Sequence, residues 1–286
     1  MQIFRKKRTI NYGGKLLDLS QPVVMGILNC TPDSFYAASR TSGEREILER
    51  AQTIIAEGGT IIDVGAYSSR PAAKHINADE EYRRLKPAVT LIKKHFSETV
   101  VSIDTFRADI VEWLYNDCGC FIVNDISAGE MDKNMISTVA RYALPYIAMH
   151  MRGTPATMQN ADNCIYNEPV IDIVEYFVAK KKELIDAGVT DIIFDPGFGF
   201  SKTLETNYKL LANLSDFKLL EQPILAGLSR KSMFYSLLAC TPEQSLAATV
   251  AANMAALQNG ADILRVHDVK EAYDTIMIYN HLQKFK

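Results

Sequence analysis

The feature that most constrains the fold of this 286-residue chain is a regular alternation of short apolar runs with longer segments of helical periodicity. Each run is apolar almost throughout, which is typical of parallel strands buried on both faces. Alternation of this kind predicts a parallel sheet with helices packed outside it, in the α/β class. The eight predicted strands are residues 23–28, 60–64, 99–103, 120–123, 144–149, 191–194, 222–226 and 262–266.

The spacers between these runs are rich in helix-forming residues with apolar positions three and four apart, which predicts amphipathic helices. Glycines follow several of them at the position where a left-handed residue commonly ends a helix. The clearest predicted helices are residues 45–57, 80–95, 170–187 and 242–258, and the terminating glycines are Gly58-Gly59, Gly188 and Gly260.

Eight strand–helix units favour a closed (β/α)₈ TIM barrel, a fold of about 250 residues that would use nearly the whole chain as one domain, residues 1–286. An open doubly wound sheet usually carries a glycine-rich turn after its first strand. The corresponding turn is Leu28-Asn-Cys-Thr-Pro-Asp-Ser-Phe35, which has no such pattern. Before the first strand, residues 8–19 predict a β-hairpin around Gly13-Gly14.

Polar or charged residues lie in the last positions of every predicted strand or directly after it, at the end of the barrel where such enzymes place their active sites. A single Asp or Asn there is usually a helix cap or a turn former. Lys and Arg do not cap helix N-termini, so Arg70, Lys231 and Arg265 are the most informative. The full set is Asn29, Asp63, Arg70, Asp104-Thr105, Asn124-Asp125, His150-Met-Arg152, Asp195, Ser229-Arg-Lys231 and Arg265-Val-His267-Asp268.

The chemistry of this set is mixed in an informative way. Carboxylates and an amide suit a flat polar heterocycle, because a carboxylate accepts two parallel N–H bonds from an aminopyrimidine edge. Arginine and histidine donors suit an anion with several oxygens, such as a diphosphate. The first group is Asp104, Asn124 and Asp195, and the second is Arg70, Arg265 and His267. Asn29 offers a neutral oxygen suited to Mg²⁺.

Other function classes find little support. The formal net charge is −3, which gives no indication of nucleic-acid binding. The sequence contains no apolar run of about 18 residues, so no membrane-spanning helix is predicted. There is no signal-peptide pattern, and the five scattered cysteines suit reduced thiols, so we expect a cytoplasmic protein with no nucleic-acid or membrane partner. Serine-hydrolase, zinc-protease and phosphate-loop motifs are absent.

The ordered motifs resemble those of the dihydropteroate synthase family from about Val23 to His267. The first is Met25-Gly-Ile-Leu-Asn-Cys-Thr-Pro-Asp-Ser-Phe35, and the second is Asp63-Val-Gly-Ala-Tyr-Ser-Ser-Arg-Pro71. The others are Ser102-Ile-Asp-Thr105, Asn124-Asp-Ile-Ser127, Met149-His-Met-Arg-Gly153, Asp195-Pro-Gly-Phe-Gly-Phe200, Gly227-Leu-Ser-Arg-Lys-Ser232 and Arg265-Val-His-Asp268.

The resemblance implies a barrel whose base is capped by the N-terminal hairpin, in a homodimer. It also implies a Mg²⁺-dependent transferase of folate biosynthesis that joins 6-hydroxymethyl-7,8-dihydropterin diphosphate to 4-aminobenzoate and is a target of sulfonamides. Catalytic roles fall to Asp104, Asp195, Lys231 and Arg265. The implied pterin site is Asp104, Asn124, Met149, Asp195, Phe200 and Lys231. Diphosphate would bind Asn29, Arg70, Arg265 and His267, with Mg²⁺ on Asn29. Aminobenzoate would meet Phe35, Ser69, Arg70, Pro71, Lys231 and Ser232.

The chain departs from the family pattern in two loops. After Phe35 the family usually continues with Ser-Asp-Gly-Gly, whereas this chain has Tyr36-Ala-Ala-Ser39. In the second loop, Ala66, Tyr67 and Ser69 replace the usual Gly, Glu and Thr. The variant residues bear on how these loops meet the substrates.

Two alternatives share the same barrel. A methyltetrahydrofolate-type methyltransferase needs no diphosphate site, and the Arg70, Arg265 and His267 set argues against it. A pterin-binding protein without catalytic activity is disfavoured by the intact Asp104, Lys231 and Arg265. Product formation from the two substrates distinguishes all three.

Overall fold

The computed structural model describes residues 6–30, 40–67 and 75–286, and only the backbone of residues 40–42. A hairpin comes first, formed by β1 (Thr9–Tyr12) and β2 (Lys15–Asp18). The eight strands that follow all pair in parallel in the order β8-β7-β6-β5-β4-β3-β10-β9. Their bounds are β3 Val23–Asn29, β4 Ile61–Gly65, β5 Val100–Asp104, β6 Ile122–Asp125, β7 Tyr146–Met149, β8 Ile192–Asp195, β9 Leu225–Ala226 and β10 Ile263–Val266.

The two ends of this sheet meet, so the sheet is a closed barrel. Phe194 at the end of β8 forms a parallel bridge with Ile224, which directly precedes β9. The Phe194 N–H also donates to the Pro223 carbonyl at 2.9 Å. The predicted (β/α)₈ barrel is therefore confirmed, although its seventh strand is only two residues long.

Helices surround the barrel in the described part of the chain. Their bounds are α1 Arg40–Ala56, α2 Ala78–His95, α3 Ala108–Cys118, α4 Met135–Arg141, α5 Ala161–Cys164, α6 Pro169–Asp186, α7 Leu204–Ala212, α8 Ser232–Leu238, α9 Leu246–Gln258 and α10 Val269–Gln283. None of the helices in the described ranges has the length and apolar character needed to cross a membrane.

The predicted helix ends are largely confirmed. Gly58, Gly188 and Gly260 have φ of 96°, 97° and 94°, as expected for residues that end a helix in the left-handed region. The helix predicted over residues 242–258 is broken, because a 3₁₀ turn at Glu243–Ser245 precedes α9.

The inside of the barrel is built in layers, because every second residue of a strand points inward. The lowest layer is an apolar floor of Met25, Ile61, Ile122, Ile147, Ile193, Leu225 and Ile263. Two residues further along each strand the inward positions become polar. That second layer contains Asp63, Ser102, Asn124, Met149, Asp195, Gly227 and Arg265.

The hairpin closes the barrel base below the apolar floor. Ile10, Leu17 and Leu19 are buried in the same cluster as the floor residues. The hairpin is also fixed by polar contacts, since the Asn11 N–H donates to Asp191 Oδ1 at 3.0 Å. The expected capping of the base is confirmed, and the opposite end of the barrel is left open for a ligand.

Candidate active site

A pocket lies at the carboxyl ends of the barrel strands, above the apolar floor. Its volume is about 390 Å³ including the part open to solvent. It is lined by Asp104, Asn124, Ile126, Met149, Asp195, Phe198, Phe200, Gly227, Lys231 and Arg265. The lining comes from separate strands and loops because the inward positions of neighbouring strands converge there.

Arg265 joins two carboxylates across the pocket. Its Nε lies 2.7 Å from Asp63 Oδ2, and its Nη2 lies 2.7 Å from Asp104 Oδ2. Asn124 Nδ2 donates to the same Asp63 oxygen at 3.1 Å. Asp63 is completely buried. This carboxylate therefore orients both Arg265 and Asn124 from beneath the pocket.

Burial sets the ionisation of this cluster. Burial raises the pKa of Asp104 to about 7, and the neighbouring Arg265 limits that rise. Burial lowers the pKa of Arg265, but the carboxylates of Asp63 and Asp104 outweigh it and raise the pKa overall. Arg265 is therefore permanently charged, whereas Asp104 exchanges its proton near neutral pH.

Asp195 and Lys231 form the other polar side of the pocket. Asp195 Oδ1 accepts a 2.7 Å bond from the Gly197 N–H. Burial raises the pKa of Asp195, and Lys231 and Arg265 oppose that rise. Burial lowers the pKa of Lys231 to about 8, against the attraction of Asp195. The second Asp195 oxygen remains to accept bonds from a ligand.

The faces of the pocket are apolar. Met149 and Ile126 belong to a cluster of buried side chains at the barrel mouth, against which Phe200 and Tyr67 pack. The Lys231 Nζ lies 4.5 Å from the centre of the Phe200 ring, a cation–π contact. A flat ring between Met149 and Phe200 would have apolar contacts on its faces and polar groups at its edges.

Asn29 ends β3, and His267 directly follows β10, the strand paired with β3; these two strand ends form the rim and lie outside the pocket lining. Both residues are exposed. His267 Nδ1 lies 3.1 Å from Ser229 Oγ, which leaves Nε2 for a ligand. Desolvation of the ring by the surrounding protein, followed by the positive charge of Arg265, lowers the pKa of His267 to about 4. Both effects favour the neutral imidazole.

Comparison with known proteins identifies the family. The model described as "Pterin binding enzyme" matches residues 25–267. The dihydropteroate synthases of Haemophilus influenzae and of Escherichia coli K12 are each 38% identical to this chain over 267 residues. These alignments span 93% of this chain and 95% and 93% of the relatives.

The chain belongs to the dihydropteroate synthase family.

Solved structures of dihydropteroate synthases also share the fold of this chain. A Yersinia pestis dihydropteroate synthase in a sulfonamide drug complex has a TM-score of 0.89 at 36% identity, covering 96% of this chain and 99% of its own. The Xanthomonas albilineans dihydropteroate synthase with 4-aminobenzoic acid has a TM-score of 0.86 at 32% identity, covering 96% and 98%.

The structure brings most residues of the expected dihydropteroate synthase site together. Asp104, Asn124, Met149, Asp195, Phe200, Lys231 and Arg265 all line one pocket. Asn29 and His267 lie at its rim, and Ser232 is exposed at the first residue of α8. Phe35, Ser69, Arg70 and Pro71 fall outside the described residues.

Some polar residues at strand ends have structural roles instead. Arg230 turns away from the pocket and forms 2.9 Å bonds to both oxygens of Asp268. Asp125 is buried and bonds to Tyr146 and Ser127. The described residues contain no cluster of three or more potential histidine, cysteine, aspartate or glutamate metal ligands.

The sequence analysis missed the role of Asp63. It was placed at the end of a strand, but it lies in the middle of β4 with its side chain inside the barrel. A signal existed, because an isolated carboxylate within a buried apolar run is costly unless a cation pairs with it. Arg265, 202 positions later in the chain, is that cation.

Proposed function

We propose that the pocket binds the pterin diphosphate and condenses it with 4-aminobenzoate, giving 7,8-dihydropteroate and diphosphate in folate biosynthesis. The observation that supports this most strongly is the convergence of Asn124, Asp195 and Lys231 around an apolar slot, with Arg265 beside it. This arrangement matches a polar-edged heterocycle that carries an anionic leaving group.

The pterin ring lies between Met149 and Phe200 in this proposal. The free oxygen of Asp195 accepts N–H bonds from the aminopyrimidine edge, while Lys231 and Asn124 bond to the remaining ring heteroatoms. Charge-assisted bonds of this kind contribute roughly 1.5–3 kcal/mol each. Asp104, bonded to Arg265, faces the other side of the ring.

The diphosphate lies at the rim beside the reacting carbon. Arg265 uses Nε and Nη2 for the two carboxylates, so Nη1 remains to donate to a phosphate oxygen. His267 Nε2 and Arg70 complete the anion site. Stabilising the charge that develops on the leaving group lowers the barrier to breaking the C–O bond.

Magnesium fits this rim. Mg²⁺ prefers oxygen ligands and usually combines one or two protein groups with substrate phosphates and water. Asn29 supplies an exposed amide oxygen at the end of β3, next to the strand that carries His267. Bound there, the ion would neutralise charge on the diphosphate oxygens.

The residues proposed to bind 4-aminobenzoate are Phe35, Ser69, Arg70, Pro71, Lys231 and Ser232. The X. albilineans relative with 4-aminobenzoic acid and the Y. pestis relative with a sulfonamide support such a site. Sulfonamides should accordingly compete with 4-aminobenzoate.

The chemistry needs no strong general base, because the aromatic amine is already neutral at pH 7. We propose that the C–O bond to diphosphate breaks first and that Asp104 and Asp195 stabilise the pterin cation. The amine nitrogen then attacks the exocyclic carbon and loses a proton. Positional isotope exchange within the bound diphosphate, measured without aminobenzoate, tests this order, and absence of exchange would indicate concerted attack.

The activity is tested by mixing the protein with pterin diphosphate, 4-aminobenzoate and Mg²⁺. Dihydropteroate and diphosphate should form in equal amounts, detected by mass spectrometry and a phosphate assay. Lack of product with a folded protein would contradict the proposal. Omitting Mg²⁺ in the presence of a chelator tests the ion separately, and turnover should then fall.

Cytoplasmic location stays a prediction of the sequence.

We also propose that the protein forms a homodimer. Exposed apolar side chains on the outer face of α10 support an interface there. They are Met277, Ile278 and Leu282. Scattered apolar residues are common on monomers, but contiguous ones favour association. Light scattering should give twice the mass of one chain.

A further inference from the structure

A buried lysine that the proposed mechanism does not use lies beside the pterin pocket. The Lys202 residue is only 4% exposed. Within the described part of the chain it forms no ion pair with a carboxylate, which is unusual because a buried ammonium is costly without a partner. Other contacts must therefore compensate the burial of the Lys202 ammonium group.

The hydrogen bonds of Lys202 match an ammonium group. Its Nζ lies 2.9 Å from the Phe200 carbonyl oxygen, 3.1 Å from His150 Nδ1 and 3.3 Å from the His150 carbonyl oxygen. An ammonium has three donors and no acceptor, and these are three acceptors when His150 carries its proton on Nε2. The site therefore satisfies the charged form without a carboxylate.

These contacts connect Lys202 to two residues of the proposed pterin site, Asp195 at the end of β8 and Phe200 in the loop that follows. The His150 N–H donates to the Asp195 carbonyl at 3.0 Å, so the strand end held by Lys202 adjoins Asp195. Phe200, whose carbonyl Lys202 binds, stacks on Lys231. Gly197, which donates to the Asp195 carboxylate, has no room for a side chain, because a Cβ there would collide with the His150 carbonyl oxygen.

The loop itself is held in a costly conformation. Gly197, Gly199 and Ser201 have φ of 72°, 82° and 49°, so left-handed residues alternate along it. For Ser201, which is not glycine, this conformation is unfavourable unless the surroundings impose it. The Arg152 N–H donates to Ser201 Oγ at 2.9 Å, and Lys202 fastens the adjacent carbonyl.

We propose that Lys202 is a positioning residue for pterin binding, whose bonds fix the loop after β8 and whose ammonium group places a positive charge on the protein side of Asp195. This inference rests on the proposed role of Asp195 in binding the pterin edge. Lys231 supplies a cation from the ligand side of Asp195, and Lys202 supplies a second one from the protein side.

The charges around the two groups agree with this role. Burial raises the pKa of Asp195, while the cations Lys231, Arg265 and Lys202 lower it. Burial lowers the pKa of Lys202 to about 7, and Asp195 opposes that change, while Lys231 and Arg152 add to it and Cys164 makes a small contribution. Lys202 is thus protonated in the acid range in which Asp195 would take up a proton.

The test measures the affinity for 6-hydroxymethylpterin by calorimetry between pH 5 and pH 9. Lys202→Gln keeps amide donors for the carbonyl oxygens but has no charge, Lys202→Met has neither, and Lys202→Arg keeps the charge. All are compared in an Asp104→Asn background, so that Asp195 alone of the two carboxylates titrates. Lys181→Met is the matched control, because Lys181 donates to the Leu220 carbonyl outside the pocket lining.

We expect the acid-side midpoint of binding to rise by about one pH unit in Lys202→Gln and Lys202→Met, because a nearby cation lowers a carboxylate pKa by about that much. Lys202→Arg and Lys181→Met should leave the midpoint in place. An unchanged midpoint in a folded neutral variant would overturn the inference, and two neutral variants of different shape guard against a packing defect. Absence of pterin binding by the unmutated protein would instead contradict the proposed function.

Discussion

At the scale of the residue, Asp63 is the least replaceable charge in the barrel. It is completely buried and its only cationic partner among the described residues is Arg265. Removing one member of a buried pair leaves the other charge uncompensated, which costs roughly 3–5 kcal/mol. Arg265, which we propose to bind the diphosphate, therefore also contributes to stability.

Arg265→Ala should accordingly lower the free energy of unfolding by about 3–5 kcal/mol, as well as abolishing turnover. The double variant Asp63→Asn with Arg265→Ala should be more stable than Arg265→Ala alone, since no unpaired carboxylate remains at position 63. Urea denaturation of the set measures both values. Equal stability of the single and double variants would show that the pair is not coupled.

The raised pKa of Asp104 predicts a pH-dependent stability. Burial raises this pKa from 3.8 to about 7. The folded protein then holds the proton more tightly than the unfolded chain, so the stability contribution is present below pH 4 and is lost as the pH rises to about 7. Asp104→Asn is neutral throughout and lacks this dependence.

Stability should therefore fall for the unmutated protein relative to Asp104→Asn as the pH rises from 4 to 7. Urea denaturation at several pH values measures the difference. A constant difference between the two proteins across this range would mean that Asp104 titrates normally.

At the scale of the element, the strands were predictable but their inward faces were not. Parallel strands buried on both sides are apolar on both faces, so the sequence lacks the alternation that would reveal the inward positions. Asp63 was for that reason interpreted as the polar end of the predicted strand 60–64, and its inward orientation was not predicted. Similarly, Arg230 and Lys231 are adjacent cations, and only the turn before α8 sends Lys231 into the pocket and Arg230 to Asp268.

The hairpin is a second element with a testable role. Ile10 is completely buried against the barrel floor, whereas Leu16 on the same hairpin is 70% exposed. Ile10→Ala should cost about 2–5 kcal/mol of stability through lost burial and a cavity. Leu16→Ala should change stability by less than about 0.5 kcal/mol. Thermal and urea unfolding measure the stability of both variants. Similar losses of stability in the two would mean that the hairpin does not pack against the barrel floor.

The loop after β8 depends on glycine at position 199. Gly199 has φ of 82°, and a Cβ there would lie 3.1 Å from Lys231 Cδ. Gly119 also has a positive φ, 72°, but a Cβ there would meet open space. Alanine at either position is strained by the positive φ, at a cost of about 1–3 kcal/mol.

Only Gly199→Ala should therefore raise the KM for the pterin diphosphate, because only it displaces Lys231. Gly119→Ala should lose similar stability with an unchanged KM. Steady-state kinetics of both variants gives the comparison, and an equal KM for the two would place Lys231 outside the pterin site.

At the scale of the whole molecule, the barrel separates stability from chemistry along its axis. The hairpin and apolar floor close one end, and one layer higher the inward residues become polar and line the pocket. Ordered motifs in the sequence were sufficient for the family, the barrel and most pocket residues. Long-range pairings such as Asp63 with Arg265, and Lys202 with His150, follow from closure of the sheet and could not be found from local patterns.

The most direct test of this account is a crystal structure of the protein with 6-hydroxymethylpterin. We predict the ring between Met149 and Phe200, its aminopyrimidine edge on the free oxygen of Asp195, and Lys231 and Asn124 on its remaining edge. A pterin bound elsewhere, or bound here without contact to Asp195 and Lys231, would contradict the assignment of the polar layer as the substrate site.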